Sequence, residues 1–241
     1  MAGLEGIDAS SMEVIDALGG TRYVYDAGDR IARPLVHHAD FLPVARLEGG
    51  ERVVDKVRLG MPVGPRLLTN ARGDNLVSPA WRGLFGKPEH HALAAISYVV
   101  ERDAKTKAAF RIQRRDGKLM VVAALMARRH YAFTSTGNEY DDLGHVQVTA
   151  PANDFVAQVH DRFVVELDSR VRQDAWMDPA ATGKEALQNL LVPAANDAYE
   201  MVPIAEDVWK RRGDPEAVKP QGGAKVWGEA SAKKPQQAKL G

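Results

Sequence analysis

The chain has 241 residues, 45% of them hydrophobic and 27% charged, a composition typical of a globular protein with room for one sizeable domain. It contains no cysteine, which excludes disulfides, thiolate metal sites and thiol nucleophiles. The formal net charge is zero, but residues 1–210 carry 25 basic and 29 acidic side chains. A nucleic-acid-binding surface would therefore have to be a local groove or a basic tail.

Targeting segments are not predicted from the sequence. No apolar run approaches the roughly 20 residues that are needed to cross a bilayer. The N-terminal segment MAGLEGIDAS lacks a basic region followed by an apolar stretch, so it does not resemble a secretory signal. We therefore expect a cytoplasmic location and no membrane partner.

The first predicted elements are a short helix and a strand. Ser10 and Ser11 precede MEVIDAL, and Gly19 and Gly20 follow it, which is typical of a capped helix. Residues 51–59 alternate in part between apolar and polar side chains, which indicates a strand. Further on, AWRGLF follows a serine suited to the N-cap and a proline suited to the first helical position, and this pattern predicts a second helix start at residues 78–85.

The middle of the chain has the clearest pattern of β-structure. Residues 92–100, 107–115 and 118–127 are apolar or alternating runs, each long enough for a strand. Asp116-Gly117 joins the last two runs and is a strong signal for a two-residue hairpin. We expect these two runs to pair with each other.

The remainder of the chain predicts a strand at 144–150, a short helix at 153–160 with Asn153 as N-cap, a strand at 162–168, and helices near 169–177 and 183–191. Strands dominate, and they do not alternate regularly with helices as in a series of βαβ units. The expected fold class is α+β, with a curved, mainly antiparallel, barrel-like β-sheet and short interspersed helices. The expected domain covers residues 1–211, and residues 212–241, rich in Lys, Pro, Gly and Gln, are expected to form a disordered tail.

Six short motifs in a fixed order carry a family resemblance. They are TNARGD (69–74), SPAWRGLF (78–85), SYVVERD (97–103), RRDGKLMVVAAL (114–125), TAPANDFVAQVHDRF (149–163) and YEMVPI (199–204). Each motif alone is weak, whereas the ordered set over about 140 residues is fairly specific. In this order the motifs resemble the SOS response-associated peptidase family.

The resemblance implies chemistry at abasic sites in single-stranded DNA. In that family the α-amine of residue 2 attacks the ring-opened sugar aldehyde to form an imine, and the thiol of a cysteine at residue 2 closes a stable thiazolidine. The same cysteine is implicated in removing the residues ahead of it, hence the name peptidase. Position 2 of this chain is Ala2, followed by Gly3 as in the family. The chain also departs from the family at Leu59, Val100, Arg102 and Phe163-Val164, where family aromatics and a Met-Pro pair are missing.

The matching positions suggest four catalytic residues. Ala2 would supply an α-amine, whose pKa of ~7.7–8.0 leaves a reactive neutral fraction at pH 7. The alternative is that Ala2 is only a flexible terminus. Glu101 would be the acid/base that opens the sugar ring, and otherwise a surface carboxylate at a strand end. His160, at the end of the expected helix, would act as a cation near the departing hydroxyl, and otherwise pairs with Asp161. Asn70 would orient the amine, and otherwise caps a turn.

Arg72 and Arg162 are the candidate DNA-binding residues, because two arginines beside the catalytic positions fit a groove that follows a phosphate backbone. The alternative is ion pairing with Asp74 or Asp161. We expect no cofactor and no metal, because the adjacent histidines at 37–38 and 90–91 would point apart on a strand. The expected partner is single-stranded DNA with an abasic site.

Without a thiol, the imine would be transient and the protein would act as a lyase on the abasic strand. The alternative is a catalytically degenerate family member that binds DNA or a protein partner without a covalent bond. The sequence alone leaves both interpretations open.

Overall fold

The computed structural model describes residues 4–24, 28, 30–133, 137–180 and 183–228. Within these ranges the chain forms fifteen β-strands and three α-helices. The strands are β1 (Leu4–Ser10), β2 (Arg30–Val36), β3 (Phe41–Glu48), β4 (Glu51–Leu59), β5 (Met61–Val63), β6 (Arg66–Leu68), β7 (Asn70–Arg72), β8 (His91–Ile96), β9 (Tyr98–Arg102), β10 (Ala109–Arg114), β11 (Met120–Phe133), β12 (Asn138–Pro151), β13 (Arg162–Val164), β14 (Tyr199–Ile204) and β15 (Lys225–Val226). The helices are α1 (Ser11–Leu18), α2 (Arg170–Met177) and α3 (Lys184–Asn189).

Two sheets make up most of the fold. The first, which we call the open sheet, has the strand order β15-β14-β10-β9-β1-β2. In the second, β11-β8-β3-β4-β12-β13, strand β11 also pairs with β12, so that β11, β8, β3, β4 and β12 close a five-stranded barrel. Among the described strands only the pairings of β12 with β4 and with β7 are parallel. The α+β class with a curved, mainly antiparallel, barrel-like sheet is thereby confirmed.

The apolar run at residues 92–100 forms two strands rather than one. β8 belongs to the barrel and β9 to the open sheet, and Ser97 lies between them, its backbone N–H donating to Gly6 O at 2.8 Å. The chain thus changes sheets in the middle of an apolar segment, and the residues on both sides of Ser97 are buried. This change of sheet places Glu101 where the open sheet meets the barrel.

The main core contains apolar side chains from both sheets and from all three helices. A smaller cluster, formed entirely by barrel strands, consists of Val44, Val57, Ala92, Ala94, Ala124 and Met126. Its three alanines have little volume, so the small barrel can close around them without overpacking. The largest fully buried side chain, Trp176 of α2, stacks on His91 with a centroid distance of 4.4 Å.

The helix signals at both ends of the chain are confirmed. Ser10 caps α1 through a capping box with Glu13, and Gly19 ends it in the left-handed conformation at φ 64°. Helices α2 and α3 lie within the two segments expected after residue 169. The longest described helix has eight residues, and none in the described ranges is long and apolar enough to cross a membrane.

Two other helix predictions were wrong in extent. Residues 78–85 form successive turns, in which Arg82 N donates to Ser78 O and Phe85 N to Trp81 O, and no regular helix follows. Gly83 lies between these turns, and glycine is a poor helix former. In the 153–160 segment Asn153 does accept the capping hydrogen bond from Val156 N at 2.9 Å, but only a 3₁₀ turn over Val156–Gln158 forms.

The predicted pairing of the two strands that flank Asp116-Gly117 was wrong. The turn exists, with Gly117 at φ 73°, but β10 pairs with β9 and β14, whereas β11 pairs with β8 and β12. The turn therefore passes the chain from the open sheet to the barrel. A turn signal is local and does not encode the partner of a strand, which is decided by tertiary packing.

Part of the expected disordered tail is folded. Residues 215–218 form a 3₁₀ turn whose Ala217 and Val218 are buried in a cluster with Val100 and Ile204 of the open sheet. β15 then adds an edge strand to β14. The boundary expected at residue 212 is therefore wrong for residues 212–228, and residues 229–241 lie outside the described residues.

Candidate active site

A pocket of about 270 Å³ lies where the open sheet meets the barrel. It is lined by Glu5, Asn70, Arg72, Val99, Glu101, Thr149, His160, Arg162, Phe163 and Val164. Five of the six site residues expected from the sequence therefore share one cavity, although they come from three separate segments. The sixth, Ala2, lies outside the described residues.

Strand register explains how the two walls of the pocket form. In the open sheet Glu5 is paired with Val99, so Glu5 and Glu101 are diagonal neighbours on one face. On the barrel side, Gln147 of β12 is paired with Asn70 and Thr149 with Arg72. The pocket thus has one wall that carries two carboxyl groups and a second wall that carries an amide and a guanidinium.

Glu101 is buried, with 8% of its surface exposed, and projects from β9 into the pocket. Burial raises the pKa of its carboxyl to about 7, while the nearby His160 acts in the opposite direction. A carboxyl with this pKa exchanges its proton near neutral pH, as a general acid or base must. The alternative of a solvated surface carboxylate does not apply.

Glu5 is a second buried carboxyl in the pocket, and sequence reasoning missed it. Burial raises its pKa to about 8, the hydrogen bond from Gln147 lowers it, and the carboxylate of Glu101 raises it further. Gln147 Nε2 donates to Glu5 Oε2 at 2.7 Å. At pH 7 Glu5 is thus mainly neutral beside a Glu101 that is partly ionised.

The only sequence signal at Glu5 is an acidic residue inside a short strand. Its contact with the site depends on the pairing of β1 with β9, which lie more than 90 residues apart in the chain. Such long-range pairing cannot be obtained from local periodicity, so the residue could not be assigned to the site from the sequence.

His160 follows the 3₁₀ turn and is half-buried at the pocket. Its Nδ1 lies 2.9 Å from Arg162 O and 3.5 Å from a carboxylate oxygen of Asp161. A proton on Nδ1 donated to that carbonyl leaves Nε2 for contact with a ligand. A helix dipole was predicted to act on His160, but the preceding 3₁₀ turn has only three residues and is too short to supply one.

Arg72 and Arg162 both contact Asp74. Arg72 donates to its two carboxylate oxygens at 3.2 and 2.8 Å, and Arg162 Nη2 lies 3.2 Å from Oδ1. Hydrogen bonding from Arg72 lowers the pKa of Asp74 to about 2. Arg162 also donates to Thr149 O at 2.8 Å, which fixes its guanidinium at the pocket wall. The ion pairs considered as an alternative for these arginines are therefore present, and their shared acid is exposed.

In the part of the chain that the structure describes, no group of three or more His, Asp or Glu side chains is placed to hold a metal ion. The arrangement in the pocket is instead suited to proton transfer beside an anion. Two carboxyls and an imidazole face the same space, and two guanidinium groups lie at its edge.

The chain was compared with protein families and with individual proteins. The family model described as SOS response associated peptidase (SRAP) matches residues 55–211. A relative from Bacillus subtilis (strain 168), named abasic site processing protein YoaM, is 27% identical over 168 residues, and the match covers 66% of this chain and 71% of that protein.

Solved structures share the fold at low sequence identity. A protein from Bacteroides thetaiotaomicron is 16% identical, with a TM-score of 0.69 and coverage of 90% of this chain and 98% of the other. A phage-related protein from Bordetella bronchiseptica is 15% identical, with a TM-score of 0.64 and coverage of 84% and 93%, respectively. A second Bordetella bronchiseptica protein is 17% identical, with a TM-score of 0.61 and coverage of 85% and 99%.

Proposed function

The chain belongs to the SOS response associated peptidase family, and we propose that it processes abasic sites in single-stranded DNA through an α-amine, with no thiol. The observation that carries this proposal is the single pocket that contains Asn70, Arg72, Glu101, His160 and Arg162. The name of the Bacillus subtilis relative, an abasic site processing protein, supports the same substrate.

The proposed reaction starts at the ring-opened form of the abasic sugar. The neutral α-amine of Ala2, freed by removal of Met1, adds to the C1′ aldehyde and gives a carbinolamine. The protonated carboxyl of Glu101 donates a proton to the hydroxyl, which leaves as water, and the lone pair of the amine nitrogen forms the C=N bond of a protonated imine with C1′. The chain has no thiol that could close a ring on this imine.

Two steps are then open to the imine. Water can hydrolyse it and restore the aldehyde and the amine. Alternatively, the ionised carboxylate of Glu101 removes a proton from C2′, the C–O bond to the 3′ phosphate breaks, and the phosphate leaves with the electron pair. The strand is then nicked on the 3′ side of the lesion, and hydrolysis of the remaining imine frees the protein. His160, next to Glu101, is the proposed proton donor to the departing oxygen.

The reach of the chain supports the assignment of Ala2. Leu4 is paired with Val100, the residue before Glu101. Two residues of chain span at most about 7 Å, so the α-amine at position 2 can lie only a short distance from the Leu4–Val100 pair. No other segment is required to bring an amine to this wall of the pocket.

Arg72 and Arg162 are proposed to hold the phosphates that flank the lesion. A DNA phosphate would take the place of Asp74 as their partner, and guanidinium groups bind phosphate oxygens in a bidentate fork. In the free protein, Asp74 would then keep both arginine side chains in position, and it would compete with DNA phosphate for them. Asn70, on the same wall, is proposed to orient the amine.

Borohydride trapping tests this function directly. Protein whose Ala2 is shown by mass spectrometry to be the N-terminal residue is mixed with a single-stranded oligonucleotide that carries one abasic site, with and without borohydride. A covalent adduct is expected only with borohydride, together with a nicked strand without it. Absence of both products would refute the proposal.

An Ala2→Cys variant provides the matched control. If the rest of the site is intact, this variant should form a stable crosslink without borohydride, because its thiol can close a thiazolidine. The ion pairs of both arginines with Asp74 favour a second candidate, non-covalent binding of DNA at a degenerate site. That candidate predicts binding that Arg72→Ala weakens, and no adduct in either the parent protein or the cysteine variant.

A further inference from the structure

The last described strand brings a lysine and a tryptophan to the same side of the open sheet as the candidate active site. β15 pairs with β14 through Lys225 with Met201 and Val226 with Glu200. Lys225 Nζ lies 4.6 Å from the centroid of the Phe110 ring. Trp227 contacts Phe155 edge-to-face, at a centroid distance of 6.3 Å and an angle of 80°.

Both contacts are made to residues that are related to the active site by strand pairing or along the chain. Phe110 is the cross-strand partner of Glu101 in the pairing of β9 with β10, and adjacent strands are about 4.8 Å apart. Phe155 begins the turn that ends at His160, where His160 N donates to Val156 O at 3.0 Å. The lysine and the tryptophan thus contact the strand partner of Glu101 and the first residue of the turn that leads to His160.

The chemistry of the two side chains is that of a single-stranded DNA contact. Trp227 is 41% exposed although its ring rests on buried Phe155, so part of a large aromatic surface faces water. Lys225 is also exposed. Aromatic rings that stack bases, combined with cations that contact the backbone, are the usual means by which proteins hold unpaired strands.

An acidic group near Lys225 and Trp227 reduces the positive charge of the surrounding surface. Asp154 precedes Phe155 and is exposed, whereas Glu200, the partner of Val226, lies on the opposite face of the sheet from Lys225. The local surface is therefore not strongly cationic. The stacking side chain, rather than a sum of positive charges, must provide most of any affinity here.

We propose that Lys225 and Trp227 form a flanking-strand subsite, in which Trp227 stacks an unpaired base next to the abasic nucleotide and Lys225 contacts a backbone phosphate. In the proposed complex the strand would run from Arg72 and Arg162 at the pocket edge to Lys225 and Trp227. It rests on the proposed function, because the abasic nucleotide in the pocket sets the position of the flanking base.

The test compares two single-stranded oligonucleotides by fluorescence anisotropy. Both carry a central tetrahydrofuran, a stable abasic analogue, and the second also has tetrahydrofuran in place of the neighbouring nucleotides on each side. Trp227→Ala should weaken binding of the first oligonucleotide about 5- to 100-fold, the usual range for loss of one base stack. It should leave binding of the second unchanged, because no base is present to stack.

Further variants separate stacking from structure and from charge. Trp227→Phe keeps a ring and should retain most of the affinity, whereas Trp227→Leu keeps the apolar contact with Phe155 and should bind like the alanine variant. Lys225→Ala should weaken both oligonucleotides and reduce the slope of log Kd against log salt by about 0.7. Lys87→Ala, at an exposed lysine outside the pocket, should have no effect on that slope.

The outcomes distinguish this subsite from the proposed function. If the Trp227 variants bind both oligonucleotides like the parent protein while all of them give the borohydride adduct, the subsite is refuted and the proposed function stands. If the parent protein gives no adduct but its affinity depends on Trp227 and on the flanking bases, the covalent chemistry is refuted and the subsite stands. Should the parent protein bind neither oligonucleotide, the subsite is refuted, and if it also gives no borohydride adduct with the abasic strand, the proposed function is refuted with it.

Discussion

Replacement of Glu5 by glutamine should remove most of the loss of stability that the folded protein suffers between pH 6.5 and pH 8. Glu5 is 5% exposed, and burial raises the pKa of its carboxyl from 4.5 to about 8. Between these two values the folded protein keeps a proton that the unfolded chain has lost. The free energy of unfolding must therefore fall as pH rises through this window. Glutamine resembles the neutral carboxyl in shape and cannot ionise.

The size of the effect follows from the two pKa values. Well below pH 8 the slope is about 1.4 kcal/mol per pH unit, and it flattens near the folded-state pKa. From pH 6.5 to pH 8, Glu5 alone should lower the free energy of unfolding by about 1.5 kcal/mol. Glu101, whose pKa burial raises to about 7, should add about 1 kcal/mol. Between pH 6.5 and pH 8 the Glu5→Gln variant should thus lose only the contribution of Glu101, about 1 kcal/mol of the free energy of unfolding.

Urea unfolding at pH 6.5, 7.25 and 8.0 at constant ionic strength measures this difference, with equal m-values as a check on two-state behaviour. Glu51→Gln, at an exposed carboxyl of a barrel strand, is the matched control and should follow the parent protein. If the Glu5 variant loses as much stability as the parent between pH 6.5 and pH 8, Glu5 is not held as a neutral acid in the pocket.

Three further predictions concern groups in or near the site. Asp74→Asn should free both arginines and tighten binding of single-stranded DNA at low salt by about fivefold, since an exposed ion pair contributes at most about 1 kcal/mol; weaker binding in an anisotropy titration would contradict the competitor role. Glu101→Gln should slow strand scission by on the order of 10²-fold and remove the ionisation near pH 7 from the pH–rate profile, and an unchanged profile would exclude Glu101 as the acid/base. His145 is buried and its pKa is lowered to about 4, so its titration alone should lower the free energy of unfolding by about 2.5 kcal/mol as pH falls from 6.5 to 4, while Glu5 and Glu101 act in the opposite direction. Relative to the parent protein, His145→Leu should therefore gain about 2.5 kcal/mol over this pH range in urea unfolding, and an equal pH dependence in both proteins would contradict a buried neutral His145.

Local signals predicted local features well. The Ser10 capping box and the Gly19 left-handed C-cap are properties of a few adjacent residues, so the sequence specifies them directly. The strand at 51–59 and the fold class follow from side-chain patterning that survives in the structure. Motif order likewise selected five side chains that the fold brings to one pocket.

Long-range pairing could not be obtained in the same way. Asp116-Gly117 does form a turn, but the strands on either side prefer partners in different sheets. The apolar run at 92–100 changes sheets at Ser97, although its composition is uniform along its length. Glu5 reaches the site only because β1 pairs with β9. In each case packing between distant segments overrides, or adds to, what the local sequence encodes.

The C-terminal segment shows how composition can mislead. Residues 212–228 are rich in Lys, Pro and Gly, which is typical of disorder. Yet Val218 is buried against the open sheet, and the backbone of Lys225 and Val226 completes the edge of that sheet. A few anchoring contacts are enough to order a polar segment when the surface that receives them is already formed.

The central claim is that an α-amine at position 2 forms the covalent bond to the abasic sugar. Its most direct test is peptide mapping of the borohydride-trapped adduct by tandem mass spectrometry, on protein whose Met1 has been removed. The adduct should be on the α-nitrogen of Ala2, and acetylation of that nitrogen should abolish it. An adduct on a lysine side chain, or one that persists after acetylation of the N-terminus, would contradict the mechanism.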